Sequence, residues 1–311
     1  MKTMKILTMS LILVTLAFFS LTSCKKTKNI SDPANTNSIQ NLANDENQAN
    51  AASDEAMADI NTVLGGSGGL KSSEGRPCNA TIDSTAIAND TITYYITYDG
   101  LNCAGNLNRT GQVEIKKHIG TRWYQVGATI IYKYTNFHVT HIRSQKSLTI
   151  NGQKTMTNVT GGLIFMIPQY ITSVTYKDQG YITVTFNDTT TKSWNVARQV
   201  TYTKADNKFV LTIDGFGSAD GYHNLVMWGT NRNSEQFYIQ ILQSVVHKQA
   251  CQFDPCSGQK KITIPGDAKG ATLTFGYDTN NQPVTGNDCP TKYKVDWFKN
   301  GNSGTLYLFL P

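Results

Sequence analysis

The 311-residue chain carries five histidines, His118, His138, His141, His223 and His247, and these are the first residues to test for chemistry. His138 and His141 fall on a segment that reads as a strand, where side chains alternate between faces. Their imidazoles therefore point to opposite sides and cannot share a metal without a bulge. No H-E-x-x-H, no G-x-S-x-G elbow and no phosphate-cradling glycine loop occurs. Glycoside hydrolysis needs two carboxylates across a sugar; most acids lie in apparent turns, which leaves Glu114 and Glu235, in or beside strands, and these read as solvent-facing strand residues. The loop from Asp214 to Gly221 offers oxygen ligands but breaks the D-x-D-x-D-G spacing of calcium loops. The expectation is a chain with no catalytic residues, no metal and no cofactor, and hence not an enzyme.

The aromatic residues are the more suggestive set. Trp123, Trp194, Trp228 and Trp297 fall on or beside strands, where flat rings stack on sugars or wall an apolar cleft, although β cores use the same residues as filling. They are the candidate ligand-contact residues.

Six cysteines remain to be placed. In an oxidising compartment Cys78 pairs with Cys103, on either side of an alternating strand at Ile92 to Tyr98. The arrangement recurs near the C-terminus, where Cys251 and Cys256 precede a strand from Ala271 to Tyr277 and then Cys289. By that repeat Cys289 takes either Cys251 or Cys256, and one thiol is left over. A zinc site would need a second Cys/His pair that the spacing lacks.

The elements that must position these residues are strands. Charged residues are few, Thr, Asn, Gly and Tyr are many, and period-two runs recur at Ile92 to Tyr98, Ile130 to Tyr134, Ile182 to Phe186, Phe237 to Ile241 and Leu273 to Phe275. Turn pairs such as Asn151-Gly152, Asp206-Asn207 and Asn300-Gly301 suit hairpins. The reading is all-β: a long antiparallel meander forming a twisted sheet, sandwich or half-barrel, with one short N-terminal helix. That helix starts at Ser53 as cap, with Asp54 and Glu55 in the first turn, carries Met57, Ile60 and Leu64 on one stripe, and stops at Gly65-Gly66.

The N-terminus reads as an address. Lys2 and Lys5 form a basic region, Ile6 to Phe19 an apolar one, and Leu21-Thr22-Ser23-Cys24 resembles the lipobox of bacterial lipoproteins, in which the cysteine is acylated and becomes the new N-terminus. The expected divisions are a signal peptide at 1–23, a flexible polar tether at 24–52, the helix and a Gly-rich linker at 53–70, a β-meander domain at 71–250 and a C-terminal β module at 251–311. The formal charge of +6 falls when Lys2 and Lys5 leave with the signal, and no basic stripe occurs, so no nucleic-acid partner is expected.

The stretch Asn102-Cys103 to Lys116, the turn Gly229-Thr230-Asn231-Arg232-Asn233 and the turn Pro255-Cys256-Ser257-Gly258 before Ile262-Thr263-Ile264 resemble uncharacterised envelope lipoproteins of Bacteroidota. The resemblance implies a fold family without an assigned activity, and Cys256 departs from its pattern. It also implies an outer-membrane location; Lys25-Lys26-Thr27-Lys28 stands where surface-displayed relatives carry acids, which favours the periplasmic side. The functional expectation is a lipid-anchored, non-catalytic binding or scaffold module for glycan, peptide or protein. The alternative is a carrier that handles lipid or acyl chains in a half-barrel cavity.

Overall fold

The computed structural model describes residues 33–65, 76–85 and 87–310. The expected signal peptide and the lipidation site Cys24 lie outside the described residues, as does most of the Gly-rich linker.

Among the described residues one α-helix, α1 (Pro33–Gly65, 33 residues), precedes the strands. Proline is at home in a first helical turn, alanines populate the interior, and glycine ends it. At 1.5 Å per residue it is about 50 Å long. Residues 33–52, expected as part of a flexible tether, are thus helical, and Ser53 is not a cap but lies in mid-helix. The segment has few large apolar side chains, so no broad apolar stripe announces it. What it buries is mostly small: Ala43, Ala49, Ala52 and Ala56 beside Ile39, Leu42, Met57 and Ile60. Small residues let neighbouring backbones approach closely, and the acids between them find partners on the sheet.

The rest is a single antiparallel sheet. Its first part is a plain meander of β1 (Ala80–Ser84), β2 (Thr91–Leu101), β3 (Leu107–His118), β4 (Ala128–His141), β5 (Ser147–Asn158), β6 (Val174–Phe186) and β7 (Thr191–Ala205). Next come β8 (Lys208–Gly215), β9 (Gly217–Ala219), β10 (Tyr222–Thr230) and β11 (Gln236–Lys248). Here the order branches. One half of β7 pairs with β8 and the other with β10, and β11 pairs with both in turn. Between them β9 and the start of β10 form a small hairpin with Asp220-Gly221 at its tip. The sheet continues through β12 (Pro255–Ile264), β13 (Lys269–Tyr277), β14 (Lys292–Lys299) and β15 (Asn302–Phe309). Because β12 pairs with β11 over much of its length, the sheet crosses the expected boundary at 250/251 without a break. The architecture is all-β with an N-terminal helix, a long antiparallel sheet with a closed, barrel-like part.

Burial alternates along the strands as period two requires. On β4, Ile130, Tyr132 and Tyr134 are buried while Thr129, Ile131 and Lys133 are exposed. A left-handed Asn136 at the β4 bulge then lets Phe137 and Val139 resume the inward positions. Opposite the bulge, Gly111 has φ +90°, and a Cβ there would meet the Asn136 carbonyl at 2.0 Å, so only glycine fits.

Candidate functional site

The inward face of the sheet carries cations at positions where alternation calls for apolar side chains, and α1 supplies partners to each of them, an acid in every case but Lys154, whose acid is Asp178 of β6. Arg109 on β3 donates to Asp59 at 2.7 Å and lies over the Tyr98 ring at 4.7 Å. Lys154 on β5 donates to Ser53 Oγ at 2.6 Å and to Asp178 at 3.0 Å, and Asp178 also accepts from the Tyr132 hydroxyl at 2.7 Å. Arg198 on β7 donates to Asp54 at 2.7 Å and to Asn50 at 3.2 Å. Lys260 on β12 reaches both oxygens of Glu46, at 2.8 and 3.0 Å. Arg232, in the turn after β10, forms two 2.8 Å bonds to Asp45 and one of 2.7 Å to Asp188.

From its C-terminal end back, α1 meets β3 through Asp59, β7 and β5 through the adjacent Asp54 and Ser53, and β12 through Glu46. Nearer the N-terminus, Ile39, Gln40 and Ala43 line a narrow cleft with Leu273, Tyr293, Val295 and Leu308 of β13 to β15. The concave side is therefore filled by the chain's own helix. Burial pushes the Tyr98 and Tyr132 phenols well above their ordinary pKa, so both stay neutral. Asp45 is also raised by burial, although Arg232 pulls in the opposite direction.

The outward face is different in kind. Cross-strand partners place one in-register row across it: Tyr181 on β6 faces Asn195, Asn195 faces Trp228, Trp228 faces Tyr238, Tyr238 faces Thr263, Thr263 faces Gly270 and Gly270 faces Phe298. Towards β1 the same row reads Gln153, Lys133, Glu114, Tyr95 and Asp83. One half is aromatic and uncharged; the other is charged.

Several rings in the aromatic half are fixed. Tyr222 stacks on Tyr238 with centroids 4.2 Å apart and planes 21° from parallel, and the Tyr238 hydroxyl donates to Asp220 at the tip of the small hairpin. A Cβ on Gly217 would meet the Trp228 ring at 2.6 Å, and one on Gly270 would meet the Phe298 ring at 2.8 Å. Both rings thus lie against bare glycine backbone. Tyr181 is 51% exposed and Phe298 39%.

Trp123, Trp194 and Trp297 are buried in the core and are corrected from ligand contacts to packing residues: Trp123 stacks on Tyr176 and donates its indole N–H to Asn61 of α1, and Trp194 donates to the Thr230 carbonyl. Alternation reveals that a tryptophan sits on a strand but not which face it takes. Of the four, Trp228 alone is half-buried on the outward face. Cys78 pairs with Cys103, Cys289 pairs with Cys251, and Cys256 is a free thiol whose pKa is raised by burial.

Glu114 and Glu235 are not brought together, since Glu114 pairs with Lys116 while Glu235 pairs with Lys269 and accepts from Asn231. Asp214 and Asp220 also diverge, to Ser244 and Tyr238. His138 bonds to Thr149 and Thr140 on the outward side. Ser218 and His223 form a 3.1 Å pair in the small hairpin, but among the described residues no carboxylate hydrogen-bonds the imidazole as a nucleophile's base requires. Among the described residues no cluster of three or more His, Cys, Asp or Glu fits a metal ion.

Sequence reasoning missed the ionic interior altogether. Its one signal was lysine or arginine at inward positions of alternating strands, as at Lys154 between Gly152 and Met156. Comparison with known proteins gives no match to any family model, to any curated protein or to any solved structure.

Proposed function

We propose that this chain is a lipid-anchored, non-catalytic protein of the cell envelope that binds a glycan, peptide or protein on the outward wall of its sheet. The signal-like N-terminus and Cys24 support the anchor, and the Bacteroidota resemblance supports the outer membrane and its periplasmic side. One observation carries the choice of surface: α1 fills the concave side that a carrier would need, while the aromatic row stands on the opposite face. Replacing Cys24 with Ala is expected to move the protein from the membrane to the soluble fraction.

The carrier reading keeps one favourable observation, the mixture of cations and aromatic rings on the inner wall, but it needs α1 to leave. Native mass spectrometry of residues 25–311, made in a periplasm without the anchor, separates the two. A bare chain with two disulfides is the expected result. A lipid lost on denaturation overturns the reading in favour of the carrier.

A further inference from the structure

We infer that the aromatic half of the outward row is a binding platform for a linear, neutral glycan lying across the strands, with Tyr181 and Trp228 as its stacking residues and Asn195 as the hydrogen-bonding group between them. The inference rests on the outward-binding reading above and names its ligand class.

Three features of the row argue for this occupant. First, Tyr181 and Trp228 flank Asn195 in direct register, which sets them two strand spacings apart, about 9.6 Å. A chain of sugars running across the strands thus meets ring, amide and ring in succession. Second, Trp228 is supported in place over Gly217, while Tyr238 next to it is only 4% exposed, packed against Tyr222 with its hydroxyl on Asp220, and so walls the platform without stacking on the ligand. A rigid ring offers its face to the apolar C–H face of a sugar at little cost in rotamer entropy. Third, no charged residue interrupts the row from Tyr181 to Phe298. Within the row itself an acidic glycan or a nucleic acid would find no cation, Lys261 standing one outward position along β12 from Thr263, whereas a neutral sugar needs only the amide and hydroxyl groups that the row provides.

The test is affinity electrophoresis and calorimetry on residues 25–311 with cello-, manno-, xylo- and malto-oligosaccharides, using polygalacturonate as the anionic comparator. At least one neutral series is expected to bind. Tyr181→Ala and Trp228→Ala should each weaken that binding about tenfold, the loss of one good stacking contact. Tyr170→Ala, which removes another exposed ring outside the row, should leave it unchanged. Tyr181 is the safer variant because its ring is largely in solvent, and a melting curve shows whether Trp228→Ala keeps its fold.

Neutral binding that survives both substitutions overturns the platform while leaving an outward binding surface intact. Binding of polygalacturonate alone overturns the neutral class. Retention of no glycan overturns the inference, and the broader reading is then judged by the native mass measurement.

Discussion

Lys260 and Lys116 are both strand lysines with a glutamate at 2.8 Å. Lys260 and its partner Glu46 have side chains 8% and 2% exposed, whereas Lys116 and Glu114 are 53% and 18% exposed. The first pair joins α1 to the inner wall; the second decorates the outer wall. The same chemistry has different consequences on the two faces. Outside, water solvates each charge with or without its partner, and the pair adds little. Inside, desolvation has already been incurred, so each charge depends on the other. The inner wall is therefore a set of mutual obligations between sheet and helix, and the outer wall is free to carry recognition.

The sharpest way to break this contrast is Glu46→Ala, which leaves the Lys260 ammonium buried without an acceptor. The expected loss is about 3–5 kcal/mol, read as a fall in the urea midpoint. Joint replacement, Glu46→Leu with Lys260→Met, should recover most of that loss, because matched apolar residues remove both desolvation costs. If the double variant is as unstable as the single one, the lesion lies in packing and not in the unpaired charge.

Next in size is the C-terminal disulfide. Replacing Cys251 and Cys289 with Ala releases a loop with a sequence separation of 38, for an expected cost of about 2–4 kcal/mol. The same change at Cys256, a free thiol, should leave the midpoint nearly unmoved.

A smaller effect is expected from pH. Burial and the nearby Lys146 depress the His141 pKa below its ordinary 6.5. The unfolded chain therefore takes up a proton on acidification before the native protein does. The stability tied to His141 is fully present above about pH 6.5 and is lost as the pH falls through the lower native value. Asp45 and Asp254, both raised by burial, work in the opposite sense nearer the carboxylate range. His141→Gln should flatten the stability profile between about pH 7 and 5; an unchanged slope would assign it to other groups.

The smallest effect is Lys116→Ala on the outer wall, expected within about 0.5 kcal/mol of the parent. A loss comparable to that of Glu46→Ala would remove the distinction between the walls.

The strands were legible because period-two alternation is local. Ile130, Tyr132 and Tyr134 mark a buried face whatever lies across from them. The helix was legible only from Ser53 onward, where Met57, Ile60 and Leu64 fall at helical spacing. Its first half, rich in Asn, Asp and Ala, looks like tether because what holds it in place is far away: Glu46 and Lys260 are 214 positions apart. Asp54 and Glu55 read as acids complementing a helix N-terminus, yet they face Arg198 and Arg109 from mid-helix. The aromatic candidates show the same boundary. Trp194 and Trp228 both sit on alternating strands, but one is enclosed and the other stands outside.

The sequence by itself therefore determined the all-β class, the Cys78 to Cys103 pairing and the absence of any recognisable catalytic motif, since these depend on periodicity and short spacings. Only the tertiary structure decided that Cys251 and not Cys256 joins Cys289, that α1 fills the concave side, and that Tyr181, Asn195 and Trp228 share one outward row. Register across separate strands and pairing between buried charges are properties of chain segments brought together by folding, and no local pattern encodes them.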